Sequence, residues 1–198
     1  MHRCCSGKEN RFYLGAGVQY WGYDSQYLIN VDVDAAGNMD LRELEAGASI
    51  FLPVEVEGGL LSIGDIHAAM GTGEPAVVAY ESSAFVTVRV SIDRTLHLEY
   101  PRLRVSVPTR FTQRLAHSRV KVGDDVICLA VAATWERARG LALEFAWKML
   151  IEEYKMTKSE AFSYASSSVS LRFGGPAAHI VLAVVPEPRF SAGGEKLC

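Results

Sequence analysis

The chain has 198 residues, 49% of them hydrophobic and 22% charged, enough for one sizeable core in an ordinary globular composition. A formal charge of -3 gives no broad basic face for phosphate, so nucleic acid is not the expected partner. The longest apolar runs, Val126–Ala133 and Ile180–Val185, fall well short of the roughly 20 residues a bilayer span needs. No membrane association is expected.

The N-terminal segment Met1–Asp34 opens on a polar stretch without the apolar run of a secretory leader, and cytosol is the expected compartment. Cys4 and Cys5 are adjacent, Cys128 lies in an apolar run and Cys198 is terminal, which is neither a disulfide framework nor a CxxC metal pattern. A first strand is predicted at Tyr27–Val33. Asp32 and Asp34 alternate with Val31 and Val33, the pattern of a solvated strand face rather than a calcium loop. Gly37-Asn38-Met39-Asp40 follows as a loop.

Strands are then predicted at Ser49–Val56, Phe85–Ile92, Leu96–Tyr100, Val126–Ala132 and Ile180–Val185, separated by Gly, Asp and Pro at close spacing. In Phe85–Ile92 the residues Val86, Val88, Val90 and Ile92 alternate with Thr87, Arg89 and Ser91, which predicts a half-buried strand. The 3.6-residue period enters only at Trp135, with Ala138, Leu141, Ala142, Phe145 and Met149 recurring as one stripe. This predicts a long amphipathic helix over Thr134–Tyr154, N-capped by Thr134, with Glu144 and Lys148 as an i, i+4 pair. Thr157-Lys158-Ser159-Glu160 matches a capping box and predicts a short helix through Ala165.

Val169–Phe173, a Gly174-Gly175-Pro176 turn, the strand Ile180–Val185 and a flexible tail from Ser191 close the chain. There is no internal repeat. The expected fold class is mainly β with an α+β C-terminal part: sandwich or jelly-roll-like sheets, one long helix and one short one. The expected parts are a β-rich core over 35–133, a helix-helix-strand part over 134–190 and a tail over 191–198.

Chemistry concentrates in one stretch. In Leu60-Leu61-Ser62-Ile63-Gly64-Asp65-Ile66-His67 an apolar run meets a glycine, then a carboxylate and an imidazole two residues apart. In extended backbone, i and i+2 point the same way, so Asp65 and His67 could converge on a metal ion or a polar substrate. The alternative is a loop in which Asp65 caps a turn and His67 is a surface histidine. Behind them, Gly71, Gly73 and Pro75 surround Glu74, either as a plain turn or as a backbone passing close to a bound group beside a general base. There is no GxSxG elbow, Walker loop or HExxH, and Gly15-Ala16-Gly17 lacks the third glycine of a dinucleotide fingerprint. His97 and His117 have no acidic or thiol neighbours that suggest a site, and His179 sits at the start of an apolar strand.

Taken together and in order, Gly37-Asn38-Met39-Asp40, Phe51-Leu52-Pro53-Val54, Gly64-Asp65-Ile66-His67-Ala68-Ala69 and Gly71-Thr72-Gly73-Glu74 resemble the acetamidase/formamidase family pattern GGNMD, LPV and GDxHAAQGDGE. Met156-Thr157-Lys158-Ser159-Glu160-Ala161-Phe162 is similar to its LTKxEAY helix start. The likeness runs from about Ala35 to Pro186.

What the resemblance implies is hydrolysis of a small linear amide, such as formamide or acetamide, to ammonia and a carboxylate with the help of a divalent metal, zinc or calcium. It makes Asp40, Asp65 and His67 the metal residues, Glu74 with Asp65 and His67 the catalytic set, and Asn38, Gly64 and Thr72 the substrate-binding residues. Glu81 matches a further family carboxylate. Met70 and Thr72 stand where the family carries Gln and Asp, and Thr72 supplies a hydroxyl but no negative charge. Family members carry a substantial N-terminal half ahead of GGNMD, so a homo-oligomer or a complementary N-terminal half is the expected partner. The competing readings are a binding module for a small ligand or protein, and one part of a split enzyme.

Overall fold

The computed structural model describes residues 13–14, 39–54, 61, 63–105, 124–175 and 179–188. The chain runs β1 (Tyr13–Leu14), β2 (Ser49–Phe51), β3 (Ile66–Ala69), β4 (Tyr80–Glu81), β5 (Arg102–Val105), β6 (Asp125–Ala132), α1 (Trp135–Glu152), α2 (Lys158–Ser168), β7 (Ser170–Phe173) and β8 (His179–Pro186). The expected strand at 27–33, the loop residues Gly37 and Asn38, the Pro176 end of the turn and the tail from Ser191 lie outside the described residues.

These strands form two antiparallel sheets, a five-stranded one in the order β2-β5-β6-β8-β7 and a three-stranded one in the order β1-β3-β4. The mainly-sheet composition with one long and one shorter helix follows the sequence expectation. The larger sheet is not half-solvated, however. β6 and β8 pair along their whole length, from Asp125 against Pro186 to Ala132 against His179, and both faces are covered. Ile127, Leu129, Val131, Ile180, Leu182 and Val184 point into one core with Met39, Leu41, Leu44, Leu103 and Val105. Val126, Cys128, Ala130, Val181, Ala183 and Val185 point the other way, against the helices. Two-sided burial is why these strands read as continuous apolar runs, since every position of the period-2 pattern meets a core.

The helices cover the second face. Thr134 caps α1 by accepting from the Arg137 amide, and Ala138, Ala142 and Ala146 form a row of small buried residues, with Met149 and Leu150 beyond them. A row of alanines lets the helix axis lie close to the sheet. Glu144 and Lys148 pair at 2.9 Å on the solvent side. The capping box forms as expected at Thr157 and Glu160, and α2 runs on to Ser168, one turn past the predicted end. No described helix is long and apolar enough to cross a membrane.

Two predicted strands are corrected. Residues 85–92 belong to no strand, and Phe85, Val88, Val90 and Ile92 are all exposed. Alternation makes a segment compatible with a sheet, but a strand also needs a neighbour to take its backbone N–H and C=O groups. Among the described residues this segment has none. The ladder strand near residues 96–100 is instead Arg102–Val105, just past Pro101, because Leu103 and Val105 are the residues that reach the core opposite Ile127 and Asp125. The strand predicted from Ser49 pairs only over Ser49–Phe51 before Pro53, whose missing N–H does not suit a ladder.

Candidate active site

The smaller sheet builds the site. β3 carries His67, and the register sets Glu81 of β4 directly opposite it. Residues directly opposite on one face of an antiparallel pair have side chains within reach, and Glu81 Oε2 lies 3.3 Å from His67 Nε2. Asp65 precedes the strand. Its φ of 62° departs from the extended backbone expected for the DxH triplet, yet Asp65 Oδ1 still comes to 3.0 Å from Nε2. Glu74 arrives through two successive turns, its N–H bonded to the Gly71 carbonyl at 3.2 Å and its own carbonyl accepting from Val77 at 2.9 Å. It reaches 4.0 Å from Nε2. Asp65, His67 and Glu81 offer donor atoms all within 4.8 Å of one another.

Asp40 completes an acidic cluster from a separate part of the chain. It is 1% exposed, and its carboxyl is pushed up to about 7, first by burial and then by the negative charges of Glu74 and Asp65. No described group donates to either of its oxygens. Asp40 therefore stands beside Asp65 and Glu74, while the compact three-donor group contains Glu81 in its place.

Backbone strain marks the same residues. Asp40, Asp65 and Glu74 all have left-handed φ, at 45°, 62° and 42°. Aspartate tolerates this region moderately and glutamate poorly, so such conformations persist only where surrounding contacts impose them. For Asp40 and for the turn that carries Glu74, contacts come from the turn between β7 and β8. The Gly175 N–H donates to the Met39 carbonyl at 2.8 Å and the Gly174 N–H to the Ile180 carbonyl at 3.0 Å. A side chain at Gly175 would overlap the Asp40 carboxylate, and one at Gly73 would overlap the Gly174 carbonyl oxygen. Gly73 thus makes room for another glycine of the chain. The part-buried pair Arg172 to Glu43, 2.8 Å, ties β7 to the segment that follows Asp40.

The donor set suits a cation. His67 is 1% exposed, and three carboxylates crowd its Nε2, yet none is aligned to form a hydrogen bond with that nitrogen. Lone pairs gathered without a shared proton repel one another unless a positive charge lies among them. One imidazole nitrogen with two carboxylate oxygens is a zinc-type set more than a calcium one, because calcium selects oxygen ligands.

The remaining expected residues scatter around this cluster. Thr72 lies in the Gly71–Glu74 turn, its hydroxyl oxygen buried and unpartnered among the described residues. Gly64 has open space where a side chain would be, and Asn38 lies outside the described residues. His97 is exposed, and His179 packs edge-on against Trp135 with Nδ1 3.2 Å from the Ala132 carbonyl oxygen. Sequence reasoning missed Gly174, Gly175, Glu43 and Arg172 as supports of the cluster. The paired glycines were visible as a turn, but nothing local linked them to Asp40, which lies more than a hundred residues away.

Comparison with known proteins identifies the family. A model of the acetamidase/formamidase family matches residues 30–138, more than half of the chain. A formamidase of Methylophilus methylotrophus is 35% identical over 60 residues, 30% of this chain and 15% of that protein. An acetamidase of Mycolicibacterium smegmatis is 40% identical over 57 residues, 28% of this chain and 14% of that protein. Among solved structures, an acetamidase from Yersinia enterocolitica matches with a TM-score of 0.62 at 24% identity, over 76% of this chain and 41% of that one. An acetamidase from Bacillus halodurans gives 0.63 at 24% identity, over 76% and 46%. The chain thus spans less than half the length of the relatives it matches. The matched segment contains Asp40, Asp65, His67, Glu74 and Glu81, and this chain belongs to the acetamidase/formamidase family.

Proposed function

We propose that this chain carries the hydrolytic site of an amidase acting on small linear amides of the formamide and acetamide class, releasing ammonia and a carboxylate. The observation that supports this most directly is the convergence of Asp65, Glu74 and Glu81 on Nε2 of a buried His67. Asp65, His67 and Glu81 are the residues that would hold a divalent cation, of zinc type. Bound there, the cation would polarise the amide carbonyl and strengthen water as a nucleophile, which an unactivated amide requires.

The chain's own groups move the protons. Glu74, 7% exposed and at the edge of the three-donor group, accepts a proton from water as its oxygen attacks the amide carbon. It returns that proton to the nitrogen as the carbon–nitrogen bond breaks, so ammonia leaves neutral. The Thr72 hydroxyl supplies a hydrogen bond to the bound amide. Asp40 sits behind Asp65 and Glu74 at the base of the site, where burial and their negative charges favour its protonated form.

The test combines elemental analysis of the purified chain with ammonia release from formamide and acetamide. Wild type is expected to carry close to one divalent ion and to turn over. Asp65→Ala loses the ion, and Glu74→Gln keeps it but loses about 10²- to 10⁴-fold in turnover. A well-folded wild type with neither metal nor turnover, alone or mixed with a complementary N-terminal half, sinks the reading. Unchanged activity in both variants sinks the residue assignment.

A further inference from the structure

The chain that leaves β4 runs with neither turn nor bend from Ser82 to Asp93. The Ser82 N–H donates to the Ile66 carbonyl at 2.9 Å. From Ala84 to Ile92 no backbone group finds a hydrogen-bond partner among the described residues, until Asp93 Oδ1 accepts from the N–H and hydroxyl of Thr95 at 2.8 and 2.7 Å. Phe85, Val88, Val90 and Ile92 are at least half exposed on this segment. They make an apolar patch of a few hundred Å², the scale that marks an interaction site on a soluble protein.

A straight backbone with unpaired N–H and C=O rows is a sheet edge, and soluble proteins guard such edges with Lys, Pro, bulges or a covering loop. Residues 84–92 contain no Pro, Gly or Lys, and Arg89 is their only charge. The occupant this edge fits is the same edge of a second copy. Two identical strands related by a two-fold axis pair antiparallel, and each register sets one residue opposite itself. With Arg89 on the axis, two guanidinium groups would meet, which is unfavourable. With Ser91 on the axis, Arg89 of each copy lies opposite Asp93 of the other, and Val90 opposite Ile92. Symmetry then supplies two opposite-charge pairs and two apolar pairs, and the charges pin the register. We propose that residues 84–93 are the dimerisation edge of this chain, pairing antiparallel with the same residues of a second copy about Ser91.

Sedimentation of the full chain at micromolar concentration tests this, with circular dichroism to confirm that each variant is folded. Wild type should be a dimer. Arg89→Asp sets Asp against Asp93, and Asp93→Arg sets Arg against Arg89, so each variant alone should associate at least about tenfold more weakly. Mixed one to one, the two variants regain both opposite-charge pairs and should form a heterodimer with wild-type affinity. A monomeric wild type, its edge left for a chain of different sequence, overturns the proposal. So does a dimer that persists unchanged in both variants, which would use another surface, or a mixture of weakened variants that forms no heterodimer.

Discussion

The five-stranded sheet and the acidic cluster beside it are built on opposite terms. In the sheet, β6 and β8 bury side chains on both faces, their ladder is complete over Asp125–Ala132, and local propensity, patterning and packing all favour the same arrangement. In the cluster, three carboxylate residues have left-handed backbone, both Asp40 oxygens lack a donor among the described residues, and Nε2 of His67 is crowded by acids. Such an arrangement does not stabilise the fold. It persists because rigid neighbours impose it, namely the β7–β8 turn against Asp40 and the Glu43–Arg172 pair. A strained polar site and a fully satisfied core within one small protein indicate that the core supplies stability that the site gives up.

Substitutions can break that comparison from either side. The largest stability loss is expected at the core: Leu182→Ala removes a fully buried side chain and should cost about 2–5 kcal/mol, measured by urea unfolding. Metal content per folded molecule should not change. Gly175→Ala acts on both regions, because its methyl group would press on the Asp40 carboxylate. It is expected to cost about 1–3 kcal/mol and also to lower metal content, which Leu182→Ala does not.

Asp40→Asn should act in the opposite direction. With Asp40 raised to about 7 in the folded protein, the native state between the ordinary carboxylate value and about pH 7 keeps a proton that the unfolded chain has released. That contribution to stability is fully present below the unfolded value and is lost as pH rises through about 7. In metal-free protein, Asp40→Asn should therefore be more stable than wild type above pH 7 by at least about 1 kcal/mol, with the advantage shrinking toward pH 4. A constant difference across that range contradicts the assignment. The smallest effect is expected at the solvent face of α1, where Glu144→Ala removes a pair whose partners are both substantially exposed. Its melting temperature should scarcely differ from wild type, and it should lose what difference there is in high salt.

How much of this could be read in advance differs between the two regions as well. Both helices and their caps at Thr134 and Thr157 were legible, because capping is decided by residues three apart. The strands that became β6 and β8 were legible because two-sided burial leaves a dense apolar run. The alternation at 85–92 misled for the complementary reason: the pattern was present, but the described structure offers it no pairing edge. In the candidate site, Asp65 and His67 were singled out by their i, i+2 spacing, Glu74 by its flanking glycines, and Glu81 by the family pattern. The partnership of Glu81 with His67 depended on the β3–β4 register, which is not written in residue types.

By itself, then, the sequence determined the elements with local causes, the family, and a short candidate stretch for the chemistry. These follow from periodicity, capping and motif spacing, all of which act over a few residues. Only the tertiary structure decided that Glu81 joins Asp65 and His67 in the three-donor group, that Asp40 stands behind them, and that Gly174 and Gly175 form the wall holding Asp40 in place. Those relations depend on strand register and on close packing between segments far apart in the chain, where a shift of one residue would turn each side chain to the other face.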